Sequence, residues 1–232
     1  MSEFSMNISV GEGNRRLPIY LLLDASSSMS GAPIEAVNRG VEIFKQEVES
    51  DPFASETVHV GIIVFSSSAQ MITNGLVPIN QLEVPNLVAN GLTALGNAFR
   101  VLKDSLDKDL RKSKPGEKKG DWKPLVFILT DGMPTDDWEG PRSEILQRQV
   151  NKVLNIITVG CGPDLDDENL KKISVGPTFR MDNSEESFKA FFKWVSQSVA
   201  FVSKSLNESG SPDENKINMP PPPSSTVIQM VF

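Results

Sequence analysis

Short apolar runs alternate with amphipathic helical patterns along most of this chain, and this alternation restricts the possible folds more than any other feature. The clearest apolar runs lie at residues 17–23, 58–65, 124–129 and 153–159. Each has the length and composition of a strand that is buried on both faces. Between them, apolar residues recur every three or four positions in residues 34–48 and 95–110, which is typical of amphipathic helices. The sequence therefore predicts a doubly wound α/β fold, with a mainly parallel sheet and helices on both faces.

Weaker patterns predict the remaining elements. Residues 69–72 follow the second strand after only a few residues, which is too short for a crossover, so we expect an antiparallel strand at the sheet edge. Residues 178–181 predict a last strand. Further helices are expected at residues 141–154, 168–173 and 184–205, and either Asn183 or Ser184 is expected to cap the last of them.

The chain divides into three parts on composition. Residues 1–16 form an N-terminal extension, residues 17–206 carry the α/β pattern, and residues 207–232 form a proline-rich C-terminal tail. The tail contains Pro220–Pro223 and ends in an apolar, β-prone stretch. Two interpretations stay open for it: a disordered tail, or an apolar end that docks on a sheet edge or on a partner.

Charge and cysteine content exclude several classes of function. The 232 residues carry a formal net charge of −7 and a pI near 4.9, which is the wrong sign for binding nucleic acid. No run of about 18 apolar residues is present, so we expect no membrane span. The single cysteine, Cys161, cannot form an intrachain disulfide. We therefore expect a cytoplasmic protein.

Acidic and hydroxyl side chains follow two of the predicted buried strands. Asp24, Ser26 and Ser28 occupy alternate positions directly after the first strand, and Asp131 leaves another buried strand within Thr130-Asp131-Gly132. Ligands of open α/β sheets bind beyond the carboxyl ends of strands, so the two carboxylates converge if these strands are neighbours. Oxygen ligands of this kind suit a hard cation such as Mg²⁺. The alternative, which the motif by itself leaves equally open, is that these residues cap the helix near Ile34.

Taken with a third loop, these residues resemble the von Willebrand factor type A domain family. The run Leu21–Gly31, Thr93 after Asn90-Gly91-Leu92, and Ile128–Gly132 match the family's D-x-S-x-S motif, separate threonine and T-D-G aspartate. The resemblance implies a metal-ion-dependent adhesion site that holds Mg²⁺ or Mn²⁺. Its expected ligands, direct or through water, are Asp24, Ser26, Ser28, Thr93 and Asp131. Asn90 replaces a glycine that is usual in the family, and we expect it to tolerate left-handed backbone.

The resemblance also implies a function. Such a site binds an Asp or Glu of a protein partner to the metal, and the surrounding rim provides specificity. The rim residues expected from the same loops are Met29, Ser30, Met133 and Trp138. For Trp138 the alternative of packing against its own loop stays open. Residues 129–136 further resemble stand-alone bacterial members associated with tellurium resistance and stress response.

An enzyme is the alternative class. A Mg²⁺-dependent phosphatase or phosphotransferase would use Asp24 as its nucleophile. Haloacid-dehalogenase-like enzymes of this kind place a second aspartate two residues later as a general acid, whereas this chain has Ser26 there, which cannot transfer protons near neutral pH. The sequence therefore favours a binding module over a catalyst.

Overall fold

An eight-stranded sheet forms the centre of the computed structural model, which describes residues 15–113, 119–163, 165–208, 220–223 and 227–232. The strands are β1 Leu17–Asp24, β2 Val58–Phe65, β3 Ala69–Met71, β4 Val77–Pro78, β5 Leu125–Thr130, β6 Asn155–Cys161, β7 Thr178–Met181 and β8 Ile228–Met230. The strand order is β3-β2-β1-β5-β6-β7-β8, and β4 also pairs with β2. The helices are α1 Ala32–Ser50, α2 Pro52–Thr57, α3 Leu95–Asp109, α4 Glu139–Val150, α5 Asp167–Ile173 and α6 Glu185–Glu208.

The central strand β1 shows why the sheet is covered on both faces. All eight of its residues are buried, and alternate side chains enter two separate hydrophobic clusters. Leu21 and Leu23 join the cluster that holds α1, α2 and α6, whereas Tyr20 and Leu22 join the cluster of α3, α4 and α5. Each face of the sheet thus buries the apolar stripe of three helices.

The predicted fold class is confirmed, including the antiparallel edge strand. The pairs β2–β1, β1–β5, β5–β6 and β6–β7 are parallel, and β3 pairs antiparallel with β2. Helix α4 begins two residues before and ends four residues before the predicted bounds of 141 and 154. The short elements α2 and β4 were missed, because six and two residues give too little periodicity to recognise.

The C-terminal end adds a strand that the sequence left undecided. Strand β8 pairs antiparallel with β7, so residues 228–230 dock on the sheet edge. The predicted N-terminal extension lies outside the described residues up to residue 14, as do residues 209–219 and 224–226 of the tail. The boundary at residue 206 stays a prediction. Within the described part of the chain, no helix is long and apolar enough to cross a membrane.

Tyr20 offers a spectroscopic test of the core, because it is the only tyrosine in the chain. Its ring is fully buried, and burial raises the pKa of its hydroxyl to about 12. We expect alkaline titration of tyrosine absorbance to show ionisation near this pH in the folded protein. The folded pKa lies above the unfolded value near 10, so this group's stabilising contribution is complete below about pH 10 and is lost as the pH rises through about 12. Ionisation near pH 10 without unfolding would contradict this packing.

Candidate metal centre

The two strands that carry the candidate carboxylates are direct neighbours at the centre of the sheet. β1 and β5 pair in parallel, with Leu23 opposite Leu129, so Asp24 and Asp131 leave the sheet side by side. The helices that follow, α1 and α4, pack on opposite faces of the sheet. The site therefore lies where the connections diverge, which is where open α/β sheets form their ligand crevice.

The loop after β1 brings two hydroxyl groups together by a tight turn. Ser26 is extended, and Ser27–Met29 form one 3-10 turn, so the two serines do not share a face by extended backbone. Ser26 Oγ and Ser28 Oγ nevertheless lie 3.0 Å apart. Asp24 is anchored below them: its Oδ1 accepts from the Ser26 amide at 2.8 Å and its Oδ2 accepts from Thr130 Oγ1 at 2.6 Å.

The other two candidate ligands come from separate loops: Asp131 contacts Ser28 directly, and Thr93 lies beside Gly132, the residue after Asp131. Ser28 Oγ donates to Asp131 Oδ1 at 2.7 Å, which joins the β1 and β5 loops directly. Thr93 Oγ1 lies 3.7 Å from the position that a Cβ would occupy on Gly132, the residue after Asp131. Mutual hydrogen bonds with Thr135 hold the Thr93 backbone in place, at 3.1 Å from the Thr93 amide to the Thr135 hydroxyl and 2.9 Å from the Thr135 amide to the Thr93 carbonyl.

The Thr93 loop is fixed against the β1 loop by backbone contacts. The Ser27 amide donates to the Gly91 carbonyl at 3.1 Å, and the Asn90 amide donates to the Ala25 carbonyl at 2.8 Å. Gly91 has a positive φ of 71°, and a Cβ there would lie 2.2 Å from Ser67 Oγ, so glycine is required. The left-handed backbone that Asn90 was expected to tolerate is not needed there, because among the described non-glycine residues only Lys152 has a positive φ, and Gly91 makes the turn.

The arrangement of oxygens fits a small, hard cation. Mg²⁺ takes octahedral ligands at about 2.0–2.1 Å, which places adjacent ligand oxygens about 2.9 Å apart. The separations of 3.0 Å between Ser26 and Ser28 and of 2.7 Å between Ser28 and Asp131 match that spacing. Across the described ranges, no group of three or more His, Cys, Asp or Glu side chains comes together, so hydroxyls are essential to this donor set.

Burial controls the electrostatics of the site. The Asp24 side chain is fully buried, and this desolvation raises the pKa of its carboxyl, while hydrogen bonds from Ser26 and Thr130 lower it. Asp131 is also buried, at 9% exposure. Two carboxyl groups thus converge in a low-dielectric setting, whereas Ser28 is exposed and marks the side open to solvent.

The alternative role of helix capping does not hold for this motif. Helix α1 begins after Gly31, which provides no side-chain cap, and neither Asp24 nor Ser26 nor Ser28 contacts its first amides. A different helix, α3, is capped from a distance by Asp136, whose carboxylate accepts from the Gly96 and Asn97 amides at 3.0 and 2.7 Å. Asp136 therefore stabilises the start of α3, directly behind Thr93.

The four predicted rim residues differ in their accessibility. Met29 is fully buried in the core with α1, because the 3-10 turn directs its side chain inward, so its predicted place in the rim is wrong. Ser30 is exposed beside the motif. Met133 and Trp138 are half-buried and pack against the cluster of α3 to α5, which leaves part of each side chain on the surface.

Sequence reasoning did not find the contacts of the supporting residues, although it assigned Asp136 to a turn or a helix start. Thr130, Thr135 and Asp136 hold Asp24, the Thr93 loop and the start of α3 respectively. Thr130 stands in the motif itself, directly before Asp131, so its position was a usable signal. Thr135 and Asp136 contact residues that lie 42 and 40 positions away in sequence. No local sequence pattern indicates such contacts.

The fold and the site define a doubly wound α/β domain with a hydroxyl and carboxylate cluster at its central crevice. The sequence profile of the von Willebrand factor type A domain matches residues 19–194. The chain therefore belongs to the von Willebrand factor type A domain family, and the resemblance in sequence is confirmed at this level.

Individual relatives are distant. A von Willebrand factor A domain-containing protein of Dictyostelium discoideum is 29% identical over 195 residues, and the match covers 78% of this chain but 19% of that protein. A von Willebrand factor type A protein from Catenulispora acidiphila has a TM-score of 0.59 at 15% identity, covering 80% of this chain and 43% of that one. Proximal thread matrix protein 1 from the mussel byssus, solved with a zinc-occupied metal-ion-dependent adhesion site, has a TM-score of 0.55 at 17% identity, covering 79% and 48%. This chain spans about a fifth of the curated relative and under half of these two structures.

Proposed function

We propose that this chain is a metal-dependent protein-interaction module that binds an Asp or Glu of a partner. The observation that supports this most is the convergence of Ser26, Ser28 and Asp131 at octahedral ligand spacing, with Thr93 beside them. The structural relative from mussel byssus that carries zinc at the site of the same name supports a metal role for this fold.

The site residues have different roles in holding Mg²⁺ or Mn²⁺. Ser26, Ser28 and Thr93 provide neutral hydroxyl oxygens, and Asp131 provides a carboxylate at the same place. Both oxygens of Asp24 already accept hydrogen bonds, so this residue orients the loop and balances charge from below. Neutral hydroxyls cancel none of the ion's charge, so a bound cation retains its attraction for one further carboxylate.

The partner contacts then fall on the exposed part of the same loops. Ser30 is accessible beside the motif, and Met133 and Trp138, in the loop after β5, are partly exposed. Partly buried aromatic and Met side chains are typical anchors at interfaces. We therefore propose these three residues as the rim that distinguishes one acidic partner from another.

A phosphatase that uses Asp24 as its nucleophile has less support. Asp24 is fully buried, and both of its oxygens are held by hydrogen bonds of 2.8 and 2.6 Å. A nucleophile needs a free lone pair directed at the open site. These contacts argue for an orienting role, so we propose a binding module and not an enzyme.

The proposal predicts that a partner is captured only with metal. We expect immobilised protein to retain a partner from native lysate in Mg²⁺ or Mn²⁺ and to release it when a chelator is added. Release should also follow when the acidic residue of the identified partner is replaced by its amide, because an amide lacks the charge that the cation attracts. Capture that is equal with metal and with chelator would contradict the proposal.

A narrower form of the proposal concerns the biological setting. The resemblance of residues 129–136 to bacterial proteins of tellurium resistance suggests a cytoplasmic stress-response complex as the first place to search for the partner. Deletion of the gene in its host should then increase sensitivity to tellurite. Unchanged sensitivity would remove this setting while leaving the metal-dependent capture intact.

A further inference from the structure

The C-terminal segment, defined here as residues 220–223 and 227–232, lies on an aromatic groove at the far edge of the sheet. Trp194 of α6 is 3% exposed, and its indole Nε1 donates to the Pro220 carbonyl at 3.0 Å. Phe179 of β7 packs edge-on against Trp194, with ring centroids 5.3 Å apart. An aromatic surface with an indole donor directed at a proline carbonyl is the arrangement by which proline-rich peptides are recognised.

The end of the same segment binds by a second mode. Strand β8 adds to the free edge of β7, with Met181 opposite Ile228 and Phe179 opposite Met230. The Val231 amide also donates to the Thr178 carbonyl at 2.9 Å. Ile228 is 1% exposed and enters the main core cluster. Strand addition gives affinity through the backbone, and the alternate side chains give specificity.

The groove is not filled by this segment. A cavity of about 370 Å³ is lined both by Pro220–Pro222 of the segment and by residues of the groove, among them Ile157, Phe179 and Trp194. Asn155 also lines this cavity, and its Nδ2 is buried without a hydrogen-bond partner among the described residues. A buried amide that lacks an acceptor is costly, and a carbonyl from a more closely fitting chain would satisfy it.

We propose that this surface, the groove at Trp194 together with the edge of β7, is a second peptide-binding site. Its ligand is an extended segment of another protein that carries a proline run followed about five residues later by an apolar β-strand. The C-terminal segment has this pattern, with Pro223 five residues before Ile228, and it occupies the surface in cis until such a ligand displaces it. The site is separate from the candidate metal centre and does not depend on the proposed function.

The affinity of the ligand is set by competition. A segment that is linked to its own binding site acts at an effective concentration on the order of mM for short linkers. A free peptide with the same contacts therefore binds the wild-type chain weakly. It should bind much better once the C-terminal segment has been weakened at a residue outside the groove.

The experiment uses the full chain and a labelled peptide with the sequence of residues 219–232, followed by fluorescence anisotropy. Ile228→Asp places a carboxylate where the core excludes water, so it releases the segment without changing the groove. We expect the peptide to bind this variant with one-to-one stoichiometry and at least tenfold more tightly than it binds the wild type. Adding Trp194→Phe, which keeps an aromatic ring but removes the indole donor, should weaken that binding severalfold.

Two further arms make the test decisive. Ile228→Ala is milder and should give an intermediate affinity, which keeps the test valid if Ile228→Asp fails to fold. A control peptide with alanine at the four proline positions should bind at least tenfold more weakly than the original. Equal binding of the peptide to the wild type and to both Ile228 variants, or no binding of the peptide to any of them, would overturn the proposal. Concentration-dependent dimerisation of the wild type through this segment would also overturn it, because the ligand would then be a second copy of this chain.

Discussion

Replacing Ser28 by alanine should reduce the affinity for Mn²⁺ at least about tenfold, since loss of supporting contacts alone costs about 10–100-fold in metal sites. Ser28 Oγ contacts both Ser26 Oγ at 3.0 Å and Asp131 Oδ1 at 2.7 Å, so it is the hydroxyl that joins the β1 loop to the β5 loop. The signal of free Mn²⁺ in electron paramagnetic resonance measures binding directly. Unfolding should be nearly unchanged in the absence of metal, because Ser28 is exposed.

The neighbouring serine provides a matched control. Ser27 is exposed in the same 3-10 turn, and it is not one of the proposed ligands. We expect Ser27→Ala to keep the wild-type affinity for Mn²⁺ and to keep metal-dependent capture of the partner. Equal losses in Ser27→Ala and Ser28→Ala would mean that the turn, and not the Ser28 hydroxyl, matters for binding.

The largest expected loss of stability follows from Asp121→Ala, at the opposite end of the sheet. Asp121 accepts from Arg16 Nε at 2.8 Å and from Arg16 Nη2 at 2.6 Å, and the two side chains are only 3% and 10% exposed. The Arg111 amide also donates to Asp121 at 2.8 Å. Removing the carboxylate leaves a buried guanidinium without its counterion, which costs about 3–5 kcal/mol.

Denaturant unfolding measures this loss against a second Asp–Arg pair in the same chain. Asp107 accepts from Arg148 Nη2 at 2.8 Å, but its side chain is 51% exposed. Exposed pairs contribute about 0–1 kcal/mol, so Asp107→Ala should change the free energy of unfolding little. Similar losses in both variants would mean that burial does not decide the strength of the Arg16–Asp121 pair.

The layered fold was predictable because its signals are local. Buried strands such as Leu125–Thr130 are continuous apolar runs, and α1 carries its apolar stripe every three or four residues. The end of the sheet was less predictable, since β8 has only three residues and pairs with β7, which lies far away in sequence. Its docking is a tertiary contact, which local patterns do not encode.

The candidate site was predictable for a different reason. Asp24, Ser26 and Ser28 stand together in sequence, and their position after a buried strand places them at the carboxyl edge of the sheet. The direction of individual side chains was not predictable: the 3-10 turn exposes Ser28 but buries Met29. One backbone turn thus decides which neighbour faces the crevice and which one joins the core.

The most direct measurement of the central claim is anomalous diffraction from crystals grown with excess Mn²⁺. We predict one strong anomalous peak, which marks a Mn²⁺ ion bonded to the hydroxyl oxygens of Ser26, Ser28 and Thr93. This ion should lie next to Asp131 and above Asp24. The further ligand position should be filled by water or by a carboxylate from a neighbouring molecule. A fully resolved set of these loops with no peak between them, at a Mn²⁺ concentration that saturates known sites of this type, would contradict the account.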